Sequence, residues 1–377
     1  MDIVAQNFGP GEEVLLGLRR LYELRGFRRI KAAKFEEYAL YIENKNFLDT
    51  DNIITFMDVD GKLMALKPDV TLSIVKNIPR GPLPTSQKLY YVDEVYRLSA
   101  ENRAYKVMGQ IGVELIGDGD GCSNLEIIDL AARSLEVIGR PCALDISHLG
   151  FVSGLLGEMG LSHRTETQLL ENIHAKNAWD AARVLEQAEV PRAQAERVLA
   201  LFEIHGGFAG ALGRVKALVS NDEMRRAYEE LARVGAVLQG CGGSAHLDFS
   251  VVNDLDYYNG LIFRGYVEGV PSLVLTGGRY DNLMRKMRKE SGAIGFAIYL
   301  DELGACLKGE RQPDFDLLIT YPDGCDFAAL LDLVRAQNAR GVRVRLERAS
   351  ADLSGADYTA LRHCRYEGGA LEEVPSC

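Results

Sequence analysis

The segment YKVMGQIGVELIG, residues 105–117, constrains the fold most strongly, because its side chains alternate in character. One alternating set is apolar or aromatic: Tyr105, Val107, Ile111, Val113 and Leu115. The other set is Lys106, Met108, Gln110, Gly112 and Glu114. Successive side chains of a strand point to opposite faces, so the pattern predicts a long β-strand with the first set in a core and the second set on an open face.

Other segments predict the partners of this strand. KLYYVDEVYR precedes it, and ITFMDVDGKLMAL contains two strand-like runs around Asp60-Gly61, a good hairpin turn. Further strands are predicted at AHLDFSVV, LDYYNGLIFRGYV and PSLVLTGG, and a helix at AIGFAIYLDELGACL. Apolar spacing predicts helices at residues 11–25 and in TLSIVKNI, while Ser123 and Glu126 predict a capping box for a helix through Val137. Short connections between strands favour an antiparallel sheet and an α+β fold.

The predicted elements divide the chain into three parts. Residues 1–150 and 239–308 carry the sheet and form a core domain. Residues 151–238 are rich in Ala, Leu, Glu and Arg with helical spacing, which indicates a helical insertion. Residues 314–377 contain a strand, a helix and a second strand, which predicts a small C-terminal α/β domain whose last stretch, CRYEGGALEEVPSC, is frayed.

Charge and cysteine usage exclude several classes of protein. The net charge is −11, which argues against nucleic acid as the main partner, because phosphate backbones are held by clustered Lys and Arg. The seven cysteines form no CxxC pair and the six histidines form no HExxH, so we expect no metal and no cofactor. No apolar run is long enough to span a bilayer, and the N-terminus lacks a signal-peptide pattern, so we expect a cytoplasmic protein with no membrane partner.

Single motifs are weak evidence of chemistry. Gln110 and Glu114 lie on one face of the predicted strand, roughly 13 Å apart, where an amide and a carboxylate could bind an ammonium group and a polar ring. On spacing alone, an ordinary solvated strand face is the better explanation of the same residues, because exposed polar strand faces are common. LKPDVT is explained by helix capping through Asp69 or Thr71, and GGRYDNLM by a plain loop. A P-loop, a GxGxxG fingerprint and a GxSxG elbow are all missing from the sequence.

Taken together, the motifs resemble the class II aminoacyl-tRNA synthetase core, and within it histidyl-tRNA synthetase. RGFRRIKAAKFEEYALY resembles the first motif of that family, and KLYYVDEVYRLSAENRAYKVMGQIGVELIG resembles the second. LDYYNGLIF is similar to a signature of the histidine enzyme, and GGRYDNLM with AIGFAIYLDEL is similar to the third motif. The resemblance covers roughly residues 10–305 and implies an antiparallel sheet flanked by helices.

The resemblance implies a histidine-binding pocket. Asp69 and Thr71 would hold the amino group of the ligand, and Arg97 would face a carboxylate or phosphate. Tyr258 would read the imidazole, with Tyr257 beside it. The full set of implied histidine-binding residues is Asp69, Thr71, Arg97, Gln110, Glu114, Tyr257, Tyr258 and Tyr280.

Positions that serve ATP in the synthetases are changed here. Asn253 stands where the family has its catalytic arginine, and Glu302 where an arginine grips the triphosphate. Tyr299 replaces a small glycine, Ser99 replaces an adenine-reading glutamate, and Met108 replaces a stacking aromatic. A proline of the first motif, which belongs to the dimer interface, is replaced by Ala33. These changes imply binding without catalysis.

A core that keeps the histidine pocket and loses its ATP residues resembles a paralogous family, the regulatory subunits of the short-form ATP phosphoribosyltransferase. That resemblance implies a role in the first step of histidine biosynthesis, a separate catalytic subunit as partner in a hetero-oligomer, a self-dimer through the core, feedback inhibition by L-histidine, and no tRNA. Two alternatives remain open at this point: a divergent histidyl-tRNA synthetase and a free-standing histidine-binding protein.

Overall fold

A computed structural model describes residues 10–47, 52–98, 104–117, 121–252, 257–304, 313–351, 353 and 360–374. The chain divides into two compact units, Val14–Leu307 and a second unit made of Met1–Glu13 with Lys308–Cys377. Within the described residues, no helix is long and apolar enough to cross a membrane.

The helices are α1 (Pro10–Leu24), α2 (Tyr38–Glu43), α3 (Val70–Asn77), α4 (Cys122–Val137), α5 (Leu149–Gly157), α6 (His163–His174), α7 (Ala178–Gln187), α8 (Arg192–Ala200), α9 (Phe208–Leu218), α10 (Asp222–Leu238), α11 (Asp281–Lys286), α12 (Leu300–Leu303) and α13 (Phe327–Asn338). The strands are β1 (Arg28–Ile30), β2 (Phe35–Glu37), β3 (Thr55–Met57), β4 (Leu63–Leu66), β5 (Gln87–Leu98), β6 (Tyr105–Ile116), β7 (Cys142–His148), β8 (Ser244–Leu247), β9 (Leu261–Val267), β10 (Leu275–Arg279), β11 (Ala293–Tyr299), β12 (Phe315–Tyr321), β13 (Val344–Arg348), β14 (Ala360–Glu367) and β15 (Ala370–Glu373).

The larger unit is built on an eight-stranded sheet in the order β1-β5-β6-β11-β10-β9-β7-β8. The six inner strands pair antiparallel, as the sequence predicts, whereas β1 and β8 at the two edges pair parallel to their neighbours. A separate three-stranded sheet contains the predicted hairpin of β3 and β4 around Asp60-Gly61. The α+β class predicted from the sequence is confirmed. The helical stretch expected at residues 151–238 holds α6 to α10 and most of α5.

The prediction for the two faces of β6 is wrong in part. Tyr105 and Val107 are 75% and 55% exposed, although they were expected in the core. Gln110 and Glu114 are 5% and 2% exposed, although they were expected on an open face. Glu114 is buried because Thr71 and Tyr280 pack against its face of the sheet. Tyr105 and Val107 are exposed because of strand length: β5 pairs with all of β6, but β11 begins to pair only at Gln110. Residues of β6 before that point lie outside the packed part of the sheet.

Three predicted boundaries are also wrong. Residues 293–299 of the expected helix form the central strand β11, and only the four-residue α12 follows it. The segment LDYYNGLIF enters its strand only at Leu261, so Tyr257 and Tyr258 lie in the loop before β9. The capping box does not form: α4 begins at Cys122 after Gly121, whose φ is +79°, and Ser123 lies inside the helix.

The smaller unit has a four-stranded sheet in the order β13-β12-β14-β15. Strands β12 and β13 are parallel, as predicted for a strand–helix–strand element with α13 between them. The expectation of a frayed end is wrong, because β14 and β15 form an antiparallel hairpin around Gly368 and Gly369. Both glycines have positive φ, which suits a tight turn.

Candidate functional site

A cavity of about 300 Å³ lies in the larger unit, against β6, β9, β10 and β11. It is lined by all eight residues that the sequence resemblance assigns to a pocket: Asp69, Thr71, Arg97, Gln110, Glu114, Tyr257, Tyr258 and Tyr280. Asp69 and Thr71 come from the start of α3, and Arg97 from the end of β5. Gln110 and Glu114 come from β6, and Tyr280 connects β10 to α11. Residues more than 200 positions apart in the sequence therefore meet in one concave site.

Glu114 is the most constrained group in the cavity. Its Oε1 accepts a 2.6 Å hydrogen bond from the Thr71 hydroxyl, and its Oε2 accepts one of 2.6 Å from the Tyr280 hydroxyl. Gly295 of β11 stands directly opposite Glu114 in the sheet, and a Cβ at Gly295 would overlap the Glu114 carboxyl group. The glycine therefore makes room for the carboxyl group between the strand and the two hydroxyl donors.

Burial raises the pKa of Glu114 to about 8, against the pull of its hydrogen bonds from Thr71 and Tyr280 and with a smaller contribution from the charge of Asp69. The pKa of Asp69 is also raised by its removal from water, although the Leu72 amide and Arg97 oppose that shift. Two carboxyl groups are thus held where ionisation is unfavourable. A bound cation that also donates hydrogen bonds would reverse that cost, so the site suits an ammonium group.

Asp69 has a structural role as well. Its Oδ1 accepts a 2.7 Å hydrogen bond from the Leu72 amide and caps the N-terminus of α3, as the sequence allowed. Arg97 is oriented by a 2.9 Å hydrogen bond from its Nε to the Pro68 carbonyl. The turn at Pro68 and Asp69 thus positions both the Asp69 carboxyl group and the Arg97 guanidinium group in the cavity wall.

Three tyrosines form an aromatic wall. The ring centroids of Tyr257 and Tyr258 lie 4.7 Å apart and those of Tyr257 and Tyr280 lie 6.0 Å apart. Burial raises the pKa of Tyr257 and Tyr280 well above the ordinary value, so both remain neutral hydroxyl donors. A Cβ at Gly278 would come within 2.6 Å of the Tyr258 ring, so the absence of a side chain at Gly278 leaves room for that ring. Rings with hydroxyl groups suit a flat, polar ligand ring.

The sequence interpretation missed several lining residues, among them Phe47, Tyr91 and Arg264. Tyr91 of β5 lies opposite Gly112 of β6, where a Cβ would contact its ring. Arg264 is a single basic residue in the apolar strand LIFRGYV. A charged residue within a strand that is otherwise buried was the available signal for Arg264, since such a residue needs a polar environment.

Three of the residues that replace ATP positions, Tyr299, Glu302 and Met108, belong to the described part of the chain. Tyr299 lines the cavity and stands opposite Gln110 in the sheet. The Ser272 hydroxyl donates a hydrogen bond to Glu302, and neighbouring Asp301 accepts a 2.8 Å bond from the Gly109 amide. Met108 packs at the edge of a buried apolar cluster. Asn253 and Ser99 lie outside the described residues.

No group of three or more His, Cys, Asp or Glu side chains in the described ranges could hold a metal ion. The polar groups that line the cavity are carboxyl, guanidinium, amide, hydroxyl and phenol groups.

Comparison with known proteins gives a consistent result. The family model described as histidyl-tRNA synthetase matches residues 2–303. A protein of Geobacter metallireducens named ATP phosphoribosyltransferase regulatory subunit is 31% identical over 308 residues, which cover 79% of this chain and 70% of that protein. A protein of the same name from Caldanaerobacter subterraneus is 31% identical over 317 residues, covering 81% of this chain and 82% of that protein.

Solved structures share the fold. An ATP phosphoribosyltransferase regulatory subunit/histidyl-tRNA synthetase from Bacillus halodurans superimposes with a TM-score of 0.81 at 24% identity, over 95% of each chain. A chain of the ATP phosphoribosyl transferase (HisG:HisZ) complex from Thermotoga maritima gives a TM-score of 0.61 at 20% identity, over 76% of this chain and 96% of that one.

Proposed function

Because this chain belongs to the histidyl-tRNA synthetase family and, within it, to the ATP phosphoribosyltransferase regulatory subunits, we propose that it is the non-catalytic subunit of an ATP phosphoribosyltransferase. In this role it is required for the first step of L-histidine biosynthesis. It also binds L-histidine and takes part in feedback inhibition of that step.

The observation that carries the histidine proposal is the position of Glu114 between two hydroxyl donors in a cavity shared with Asp69. The ammonium group of an amino acid bound beside Glu114 and Asp69 would neutralise the two carboxyl groups whose ionisation burial opposes. Arg97 supplies a cation for the ligand carboxylate, and Tyr257 and Tyr258 supply a surface for the imidazole. Gln110, on the same strand as Glu114, offers a further polar contact.

Feedback inhibition requires only a modest coupling between this pocket and the catalytic subunit. A coupling free energy of about 1–3 kcal/mol would change the affinity at one site roughly 5–150-fold when the other site is occupied. Histidine must then bind the active and inactive arrangements of the complex with different affinities.

Absence of aminoacylation is the second part of the proposal. An arginine about 4 Å from a phosphate contributes roughly 4 kcal/mol at an effective dielectric near 20, and a glutamate at the same place repels the phosphate by a similar amount. Glu302 is such a replacement, and its carboxylate is hydrogen-bonded to Ser272. Tyr299 adds a bulky ring to the lining of the cavity.

We propose two kinds of subunit contact and no tRNA partner. The catalytic subunit is a separate chain, and the two assemble in the cytoplasm. The synthetase-like core also dimerises. The three-stranded sheet of β2, β4 and β3 offers an apolar surface for that contact, because exposed apolar side chains lie on it or on its hairpin turn: Phe35, Phe56, Met57 and Val59. Exposed apolar patches of this kind mark interaction sites.

Two experiments test the proposal. The chain should co-purify with a transferase catalytic chain and be required for its activity, whereas failure to associate would favour a free-standing histidine-binding protein. The purified chain should not catalyse histidine-dependent ATP–pyrophosphate exchange or charge tRNA, and Asn253→Arg alone should not restore either reaction. Measurable charging would identify the chain as a divergent synthetase.

A further inference from the structure

A second concave site of the larger unit is basic, although the chain as a whole has a net charge of −11. Its volume is about 470 Å³, and its charged lining residues are Lys76, Arg80, Lys286, Arg288, Lys289 and Glu43. Lys76 comes from the end of α3, Glu43 from the end of α2, and Lys286 from the end of α11. Five cations from two parts of the chain thus face one cavity that has a single lining carboxylate.

Two of these cations have internal partners. Lys76 Nζ lies 2.7 Å from a carboxylate oxygen of Glu36. Lys289 is 7% exposed, and its Nζ donates hydrogen bonds to the carbonyl groups of Lys76 and Ile78, which end α3. Lys289 is therefore a helix cap held inside the site. Burial and the nearby charge of Arg80 lower its pKa.

Among the described residues, no carboxylate forms an ion pair with Arg80, Lys286 or Arg288. Favourable interaction with the C-terminus of α11 accounts for Lys286, whose Nζ also lies 5.1 Å from the centre of the Phe47 ring. Arg80 and Arg288 lie just beyond the C-terminal ends of α3 and α11.

We infer that this basic cavity binds a small phosphorylated anion with two or more phosphate groups, as in a nucleoside diphosphate or a sugar diphosphate. Guanidinium groups bind phosphate oxygens in pairs of parallel hydrogen bonds, and ammonium groups add compact positive charges, so Arg80 and Arg288 with Lys286 form a suitable set. Concave shape favours a small ligand over an extended protein surface. The site is separate from the tyrosine-lined cavity, and the inference stands whether or not histidine binds there.

The test uses calorimetric titration of the full chain with inorganic pyrophosphate at low salt. We expect saturable binding that Arg80→Glu combined with Arg288→Glu weakens by roughly tenfold or more, since two charge-assisted contacts become repulsive. Lys216→Glu makes a matched control, because Lys216 is an exposed cation on α9 in the helical region. That variant should leave the affinity within about twofold.

Folding and non-specific attraction are controlled in the same series. Both double variants, Arg80→Glu with Arg288→Glu and the milder Arg80→Gln with Arg288→Gln, should keep the thermal unfolding midpoint of the unmodified chain. Absence of saturable pyrophosphate binding would overturn the inference, as would an equal loss in Lys216→Glu. Normal pyrophosphate binding by the double variants, with lost binding of the catalytic chain, would also overturn it and assign the surface to a protein partner.

Discussion

The hydroxyl group of Tyr280 donates a 2.6 Å hydrogen bond to Oε2 of Glu114, across 166 positions of sequence. Thr71 supplies the matching donor to Oε1, so both carboxyl oxygens accept a hydrogen bond from the protein itself. Neutral donors orient the carboxyl group but do not supply the positive charge that its ionised form requires. The properties of Glu114 should therefore change most when a cationic ligand binds.

Removal of the charge at position 114 should weaken histidine binding. Glu114→Gln keeps an oxygen acceptor and the approximate shape of the side chain but loses the attraction to an ammonium group, so we expect a loss of about tenfold or more in affinity by calorimetry. Glu229→Gln, on an exposed position of α10, should bind histidine as the unmodified chain does. Equal affinities for the two variants would remove Glu114 from the binding site.

Histidine binding should release a proton near neutral pH. Since the protein raises the pKa of Glu114 to about 8, this group is mostly protonated at pH 7, and an ammonium ligand favours its ionised form. Calorimetry in buffers of different ionisation enthalpy should show the release of nearly one proton, and the affinity should rise with pH up to about 8. Binding heats that are independent of the buffer would contradict this assignment.

Stability should depend on pH through the same group. The pKa of Glu114 is raised by folding from 4.5 to about 8, so its contribution is fully present below pH 4.5 and is lost as the pH rises through about 8. Glu114→Gln should therefore become progressively more stable than the unmodified chain over this range, with an upper limit of roughly 5 kcal/mol. Denaturant titrations at several pH values measure the difference, and parallel stability curves would contradict it.

Gly295 should not tolerate a methyl group. Gly295→Ala places a Cβ against the Glu114 carboxyl group and the Val113 carbonyl, so we expect it to lower the free energy of unfolding by about 1–3 kcal/mol and to impair histidine binding. Gly213→Ala is the control: Gly213 lies within α9 with open space around it, so the change should stabilise the chain by up to about 1 kcal/mol. Denaturant unfolding and histidine titration of both variants measure these effects. Equal unfolding free energies and equal histidine affinities for Gly295→Ala and Gly213→Ala would contradict the prediction.

The pocket residues were predictable because short motifs carry them in a recognisable order, and the cavity contains all eight. Their environment was less predictable. Alternation along β6 could not reveal that β11 pairs only from Gln110 onward, or that Thr71 and Tyr280 pack against the face that carries Glu114. Pairing between distant strands decides burial, and a single strand carries no record of its neighbours.

The error at residues 293–299 has a related cause. A strand in the middle of a sheet is buried on both faces, so AIGFAIY has a continuous apolar run in place of alternation. Such a run cannot be distinguished from a buried helix by periodicity. Gly295 was the available signal, because a glycine within a strand often marks a close approach by another group, here the carboxyl group of Glu114.

The central claim is that histidine acts through this pocket on a separate catalytic chain. Its most direct test is the histidine inhibition curve of phosphoribosyl transfer by the assembled complex, with the unmodified chain and with Glu114→Gln. We predict that both complexes are active without histidine and that the variant requires about tenfold more histidine, or more, for half-inhibition. Identical inhibition curves for two active complexes would contradict the claim and place the inhibitory histidine elsewhere.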